Sequence, residues 1–378
     1  MVIPQKKILF IYLNAFSGVG GIEKFNACFM KSMHESSKSL SFAYDNLSFI
    51  DSKTDELYLP KTFLKPFRGN KIRAFLAAMF YSLRADVIIL GHINLLVLAF
   101  WLYLFPQKKV ILIAHGIEVW QDLPRWKQKL LQKCDLILAV SHFTKTKMAA
   151  KHQINLDKIE VFYNTLNPFF NLPHNFAKAA YLCERYAIRP HEKVILTVAR
   201  LSSAEKYKGY DKVIEVMPEI IKKYPHTKYI IAGKYDTMEF ERLINLITEH
   251  QLTNHVHLVG FVKDAELIDH YLLADVFVMP SQGEGFGIVY LEAMACGVSV
   301  IAGNKDGSVD ALQNGRLGHL VNPDSLTEIQ KAIETVLATD SKTIAKKELQ
   351  QAVIQHFGFE QFKEKTSEVI KKILYILT

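Results

Sequence analysis

Two acids, Glu284 and Glu292, stand eight positions apart in the segment PSQGEGFGIVYLEAMACG, residues 280–297. Glu284 lies between Gly283 and Gly285 after the apolar run DVFVM, whereas Glu292 is set among Phe286, Ile288, Val289, Leu291 and Met294. If a helix begins near Gly287, Glu284 stands at its mouth and Glu292 about a turn and a half inside. Such a pair faces one ligand at two depths. It accepts hydrogen bonds from sugar or ribose hydroxyls, and the amides at the helix start favour phosphate or polar sugar oxygens. An acid within an apolar run needs a partner, which argues against two merely solvated helix-end residues.

Upstream, Arg200 follows the run VILTVA, and Lys208 precedes Gly209 in ARLSSAEKYKGYD, with Lys206 as the alternative lysine. A guanidinium forks onto two oxygens and an ammonium adds a point charge, so together they can neutralise a diphosphate. Fixed cations of this kind help most when the phosphate departs as a leaving group. His115 follows the run KVILIA, where its imidazole is expected to donate a hydrogen bond into a cleft. The loop SGVGGIEKF offers Gly18, Gly20 and Gly21 for a tight turn ahead of a helix N-terminus. It departs from GxGxxG and has no Walker lysine, so it supports neither a dinucleotide fingerprint nor a P-loop.

All of these residues come just after apolar runs. The runs ILFIYL, DVIIL, KVILIA, DLILAV and KIEVF precede residue 164, and KVILTVA, KYIIAG, HVHLVG, DVFVM and VSVIA follow residue 175. Helical patterns separate them, which implies parallel strands joined by crossover helices and buried on both faces. In open parallel sheets, ligands sit beyond the carboxyl ends of the strands, where the candidates fall. Residues 164–175, NTLNPFFNLPHN, collect Asn and Pro between the two series and read as a linker. The expectation is α/β, with two Rossmann-like, doubly wound parallel-sheet domains facing a central cleft, at 1–170 and 171–358. Residues 359–378 read as an amphipathic helix that crosses back to the first domain.

Composition narrows the function. Four cysteines far apart in 378 residues, without a CxxC pair, disfavour a zinc site or a disulfide framework and suit a reducing cytosol. The N-terminal apolar run lacks a convincing cleavage site and reads as a first strand, not a signal peptide. Val87–Phe105 is broken by Gly91, His92 and Asn94 and reads as a strand followed by a buried helix. Residues 1–175 hold 22 Lys and Arg against 12 Asp and Glu, whereas the rest hold 24 against 26. From Lys61 to Arg84 there are six basic residues (Lys61, Lys65, Arg68, Lys71, Arg73, Arg84), no acid, and Phe63, Phe67, Phe75, Phe80 and Tyr81. Two readings stay open for this stretch: contact with an anionic membrane surface, or a solvated helix whose aromatics face the core.

The E(x)7E pair with Arg200 and a KG pair resembles the retaining GT-B glycosyltransferases of family four, the glycosyl transferases group 1, over nearly the whole chain. The resemblance implies that Arg200 and Lys208 bind a donor diphosphate, Glu292 the ribose, and Glu284 the hydroxyls of the transferred sugar. The backbone of Gly285, Phe286, Gly287 and Ile288 would assist Glu284. His115 matches a first-domain histidine near the sugar and β-phosphate, and Gly20 and Gly21 match a loop that closes over donor and acceptor. The turn of Gly260, Phe261 and Val262 resembles the element that packs against the nucleobase. The spacing from Arg200 to the KG pair is two residues longer than the family's pattern. The activity implied is metal-independent, cofactor-free transfer of a hexose, with retention, from a UDP- or GDP-sugar to a hydroxyl of a surface glycan or lipid-linked oligosaccharide. The expected location is the cytoplasm or the inner face of the plasma membrane, with no nucleic-acid partner. The alternatives are a nucleotide-sugar epimerase of the same architecture and a non-catalytic membrane adaptor.

Overall fold

In the computed structural model the described residues are 6–18, 20–189, 192–339 and 343–376, with side chains to 374. The chain divides into two units: Met1–Pro168 together with Phe357–Thr378, and Phe169–His356. Val19, within the Gly-rich loop, and residues 377–378 of the expected C-terminal helix lie outside the described residues.

The first unit is built on seven parallel strands: β1 (Lys7–Tyr12), β2 (Ala43–Ser48), β3 (Leu64–Pro66), β4 (Val87–Leu90), β5 (Lys109–Ala114), β6 (Leu136–Ala139) and β7 (Ile159–Val161). Their order across the sheet is β3-β2-β1-β4-β5-β6-β7. The middle strands are apolar at every position because helices cover both faces: β4 and β6 are buried throughout. On one face the helix Gly21–Leu40 presents Phe25, Phe29 and Met33 at i, i+4 spacing. Against it packs the helix Phe359–Lys371, whose Phe362 ring meets Phe25 at 5.6 Å and Phe162 at 5.0 Å. Thr165 Oγ1 and the Leu166 amide both donate to the Phe357 carbonyl and fix where that helix begins.

The segment after β4 departs from the expected buried helix. It forms a 3-10 turn, Ile93–Leu98, and a single helical turn, Ala99–Leu102. Leu98, Ala99 and Leu102 are buried, but Phe100 and Leu104 are exposed, because one helical turn has only one side to lay on the core. Among the described residues no helix is long and apolar enough to cross a membrane.

The second unit has six parallel strands: β8 (Val194–Val198), β9 (Lys228–Ala232), β10 (Val256–Gly260), β11 (Val276–Met279), β12 (Ser299–Gly303) and β13 (His319–Val321). They lie in the order β10-β9-β8-β11-β12-β13. In both sheets the winding reverses beside the first strand, between β1 and β4 and between β8 and β11. Ile195 pairs with Val276 and Leu196 with Phe277, so the loops leaving β8 and β11 emerge side by side. Ligands bind at such a reversal in open α/β sheets.

Candidate active site

In the second unit, three loops interlock at the carboxyl end of the sheet. The loop after β8 ends at Gly209, whose backbone is left-handed (φ 76°) and caps the helix Tyr210–Lys223. A Cβ there would lie 2.5 Å from the Pro280 carbonyl oxygen, so the chain can turn this close to β11 only as glycine. The Gln282 amide donates to the Tyr207 carbonyl at 2.9 Å, and a Cβ on Gly283 would strike the Tyr207 ring. From the third side, after β12, the Gly307 amide donates to the Glu284 carbonyl at 2.8 Å. A Cβ on Gly307 would lie 2.0 Å from the Gly285 carbonyl oxygen.

This packing brings Lys208 and Glu284 together as an ion pair, Nζ to Oε1, with both side chains mostly buried. Burial pulls the Lys208 ammonium down, but Glu284 foremost, with Tyr207 and Glu205, more than offsets it and holds Lys208 above its ordinary value. The lysine is therefore charged at neutral pH. Arg200, largely exposed, donates to Glu205 Oε1 at 2.9 Å. The other Glu205 oxygen is buried and has no hydrogen-bond partner. Each of the two cations thus rests on a carboxylate at the strand-order reversal, the position where ligands bind in open α/β sheets.

The helix predicted to begin near Gly287 runs Ile288–Ala295, with Gly287 as its N-cap. Glu284 precedes it, and Glu292 is buried within it. The Tyr271 hydroxyl donates to Glu292 Oε2 at 2.8 Å, the partner an acid in an apolar run requires. Phe286 and Ile288 are buried and Gly285 adjoins the Gly307 contact. Asp306, fully buried, accepts the Glu284 amide at 2.7 Å and the Ser308 amide at 2.9 Å. Burial pushes its carboxyl up to about 6; the charge of Glu284 adds to the rise, and the two amides and the Ser308 hydroxyl restrain it. At the far side of β8 and β9, the turn after β10 leaves Phe261 exposed, with Gly260 accepting from the Gly233 amide.

The remaining candidates belong to the first unit. The helix Gly21–Leu40 starts at Gly20 without a side-chain cap. The loop before it is held from below by Asp51, which accepts the amides of Ala15 and Phe16 at 2.9 and 3.0 Å and the Ser48 hydroxyl at 2.9 Å. Glu23 folds back over the glycines: a Cβ on Gly20 would lie 2.5 Å from its Oε2.

His115 corrects the expectation from sequence. Its Nε2 lies 2.9 Å from the Gly91 carbonyl, an acceptor, so that nitrogen carries the proton and donates inward. Burial lowers the imidazole to about 4, and it is neutral at neutral pH. The remaining ring nitrogen is an acceptor. In this tautomer the ring offers an acceptor, not the donor expected from sequence. Glu118 Oε1 accepts the amides of His115 and Gly116 at 2.6 and 3.2 Å and sets the turn that aims the ring.

Sequence reasoning missed Tyr271, Asp306, Asp51, Glu118 and Glu205. Asp306 carried the same signal as the chosen residues, a charged side chain just past an apolar run and beside a glycine. Tyr271 and Asp51 carried none, because each is far in sequence from what it holds.

Residues 183–355 match the family model for Glycosyl transferases group 1, and residues 43–168 match that for Glycosyltransferase Family 4. The GDP-mannose-dependent alpha-(1-6)-phosphatidylinositol monomannoside mannosyltransferase of Mycobacterium tuberculosis is 31% identical over 252 residues, 63% of this chain and 62% of that protein. Its counterpart in Mycolicibacterium smegmatis is 28% identical over 249 residues, 63% of each chain. The match thus spans less than two thirds of these relatives. In fold, the chain is similar to Anabaena HepE solved in complex with UDP, with a TM-score of 0.77 over 97% of this chain and 100% of that one, at 20% identity.

Proposed function

From its standing as a chain that belongs to the group 1 glycosyltransferases of GT-B fold, we propose that the protein moves a hexose from a UDP- or GDP-sugar to an acceptor hydroxyl. The acceptor is a surface glycan or lipid-linked oligosaccharide at the cytosolic membrane face, approached through the basic segment Lys61–Arg84. The observation that carries this reading is the Lys208–Glu284 pair, with Arg200 beside it, at the strand-order reversal of the second sheet.

Arg200 and Lys208 take the donor diphosphate, whose negative charge grows as the sugar leaves and is met by cations already in place. Glu284, released from Lys208, accepts sugar hydroxyls, and the backbone from Gly285 to Ile288 supports it. Glu292, oriented by Tyr271, takes the ribose hydroxyls, and Phe261 and Val262 flank the base. His115 accepts a sugar hydroxyl through the nitrogen that Gly91 leaves unprotonated, and Gly20 and Gly21 line the loop facing donor and acceptor. Transfer proceeds with retention and without a metal, the leaving phosphate guiding the acceptor hydroxyl. GDP-mannose, the donor in the names of two relatives, is the first to try.

The deciding test is a thermal-shift panel of UDP, GDP, ADP and their sugars, since a ligand of the folded state raises its midpoint. Glu292→Gln is expected to lower the shift, and Arg200→Ala to nearly abolish turnover with acceptor followed by proton NMR, which also reads the anomeric outcome. Unchanged binding and transfer in both variants, or interconversion of donor without acceptor, would overturn the assignment.

A further inference from the structure

The helix Lys71–Leu83 is amphipathic in an inverted sense. Its buried residues are the small Ala74, Ala78 and Ser82, whereas Ile72, Leu76, Phe80 and Leu83 are exposed, from 47% to 75%. These four recur at i, i+4, i+8 and i+11, one stripe along the helix. A stripe of large apolar side chains normally faces the core. Here Phe75 and Tyr81 pack inward as expected for aromatics on a solvated helix, but Phe80 and the aliphatics do not.

The next element, packed on the buried side of this helix, also exposes apolar side chains. Trp101 Nε1 donates to Ser82 Oγ at 3.2 Å and ties the turn Ala99–Leu102 to the helix. Phe100 on that turn and Leu104 just after it are exposed, and Phe100 stacks on the exposed Trp126 with ring centroids 5.5 Å apart. The helix carries Lys71 and Arg73 and no acid. The Arg84 guanidinium lies over the Phe80 ring at 4.6 Å and the Lys65 ammonium over Tyr81 at 5.9 Å.

We propose that this ridge docks on an anionic lipid bilayer by insertion: Leu76, Phe80, Phe100 and Leu104 enter the acyl boundary while the surrounding lysines and arginines meet lipid phosphates. An exposed stripe of large apolar side chains marks an interaction surface. A basic rim without an acid on the helix suits a continuous anionic plane, with apolar side chains seated at the headgroup boundary. The inference deepens the membrane part of the function proposed above. It places the apolar contact partly outside Lys61–Arg84 and makes hydrophobic insertion, not charge alone, the anchor.

Flotation of the full chain with phosphatidylcholine vesicles, with and without phosphatidylglycerol, tests it. The protein is expected to float with the anionic vesicles and to stay partly bound at roughly 0.5 M salt, where the Debye length shrinks to a few ångströms. Leu76→Ser with Phe80→Ser is expected to lower the bound fraction on the order of ten-fold. Lipids brominated in the acyl chain are expected to quench a fluorescence component that Trp126→Phe removes. No flotation, complete release by salt, or equal flotation of the double variant would overturn the proposal. So would a dimer seen by light scattering that the double variant abolishes without any vesicle binding. The midpoint shift given by UDP and GDP, measured in the same two proteins, separates the two readings: no shift with intact flotation sinks the transfer reading and leaves docking standing.

Discussion

Asp306 holds the backbone of Glu284 with one oxygen and that of Ser308 with the other, so its charge state reaches the loop through two amides. Its carboxyl sits at about 6 in the folded protein, above the unfolded value of roughly 3.9. A raised acid means that the fold binds the proton more tightly. Its contribution to stability is full below about pH 4 and is lost as pH rises through about 6. Ligand binding runs the other way, because the carboxylate is the stronger acceptor of the Glu284 amide. Donor KM is expected to rise as pH falls below about 6. In Asp306→Asn that limb should flatten, while at neutral pH binding weakens by about 1–3 kcal/mol through a poorly satisfied buried amide. A pH–KM series on both proteins checks this, and an unaltered limb in the variant assigns the titration elsewhere. Glu205 makes a second case. Its carboxylate occupies Arg200, and an arriving diphosphate must displace it against like charge. Glu205→Gln is expected to tighten nucleotide binding several-fold, by on the order of 1 kcal/mol for a partly exposed pair. Weaker binding by calorimetry would instead make Glu205 the residue that positions Arg200.

At the scale of elements, the loops after β8, β11 and β12 hold one another through backbone contacts that side chains would prevent. Gly307→Ala puts a methyl group against the Gly285 carbonyl and is expected to push the segment Gly283–Gly287 away from Lys208. The cost in stability is about 1–3 kcal/mol, typical of overpacking. Nucleotide binding should fall much further than the thermal midpoint, with circular dichroism unchanged; a fall in both together would make the contact merely structural. Of the thirteen strands among the described residues, ten were legible as apolar runs, since strands covered on both faces admit little else. The other three were not, for particular reasons. β2 reads AYDNLS, with Asp45 paired to Lys7 and Asn46 buried in the sheet. β3 and β13 are three-residue edge strands that exist because a neighbour pairs with them. The candidate charges were visible because strand ends are visible. What orients them was not: Tyr271 is 21 residues from Glu292, and the distance that matters is across a helix pair. The donor direction of His115 was hidden for the same reason, because it depends on the Gly91 carbonyl, just past the end of β4.

At the scale of the molecule, the first unit is assembled from two stretches of chain with the whole second unit between them. The helix Phe359–Lys371 is part of the first unit's core, through Phe362, Thr366, Val369 and Ile370. Lys365 and Lys372 pair with Glu160 at 2.8 Å, which fixes the register. Phe362→Ala is expected to cost about 3–5 kcal/mol, the usual range for a buried phenylalanine. In hydrogen exchange the amides of β1 and β4 should lose protection while those of β8 and β11 keep theirs, and equal loss in both sheets would mean that the units unfold as one. The same feature sets a timetable for synthesis. After residue 168 is made, about 190 residues must follow before the covering helix exists, on the order of ten to forty seconds at typical elongation rates. Throughout that interval Phe25 and Phe162 lack the ring that caps them. The nascent first unit therefore keeps this apolar surface uncovered until the rest of the chain arrives, whereas the second unit, contiguous in sequence, can close as it is made.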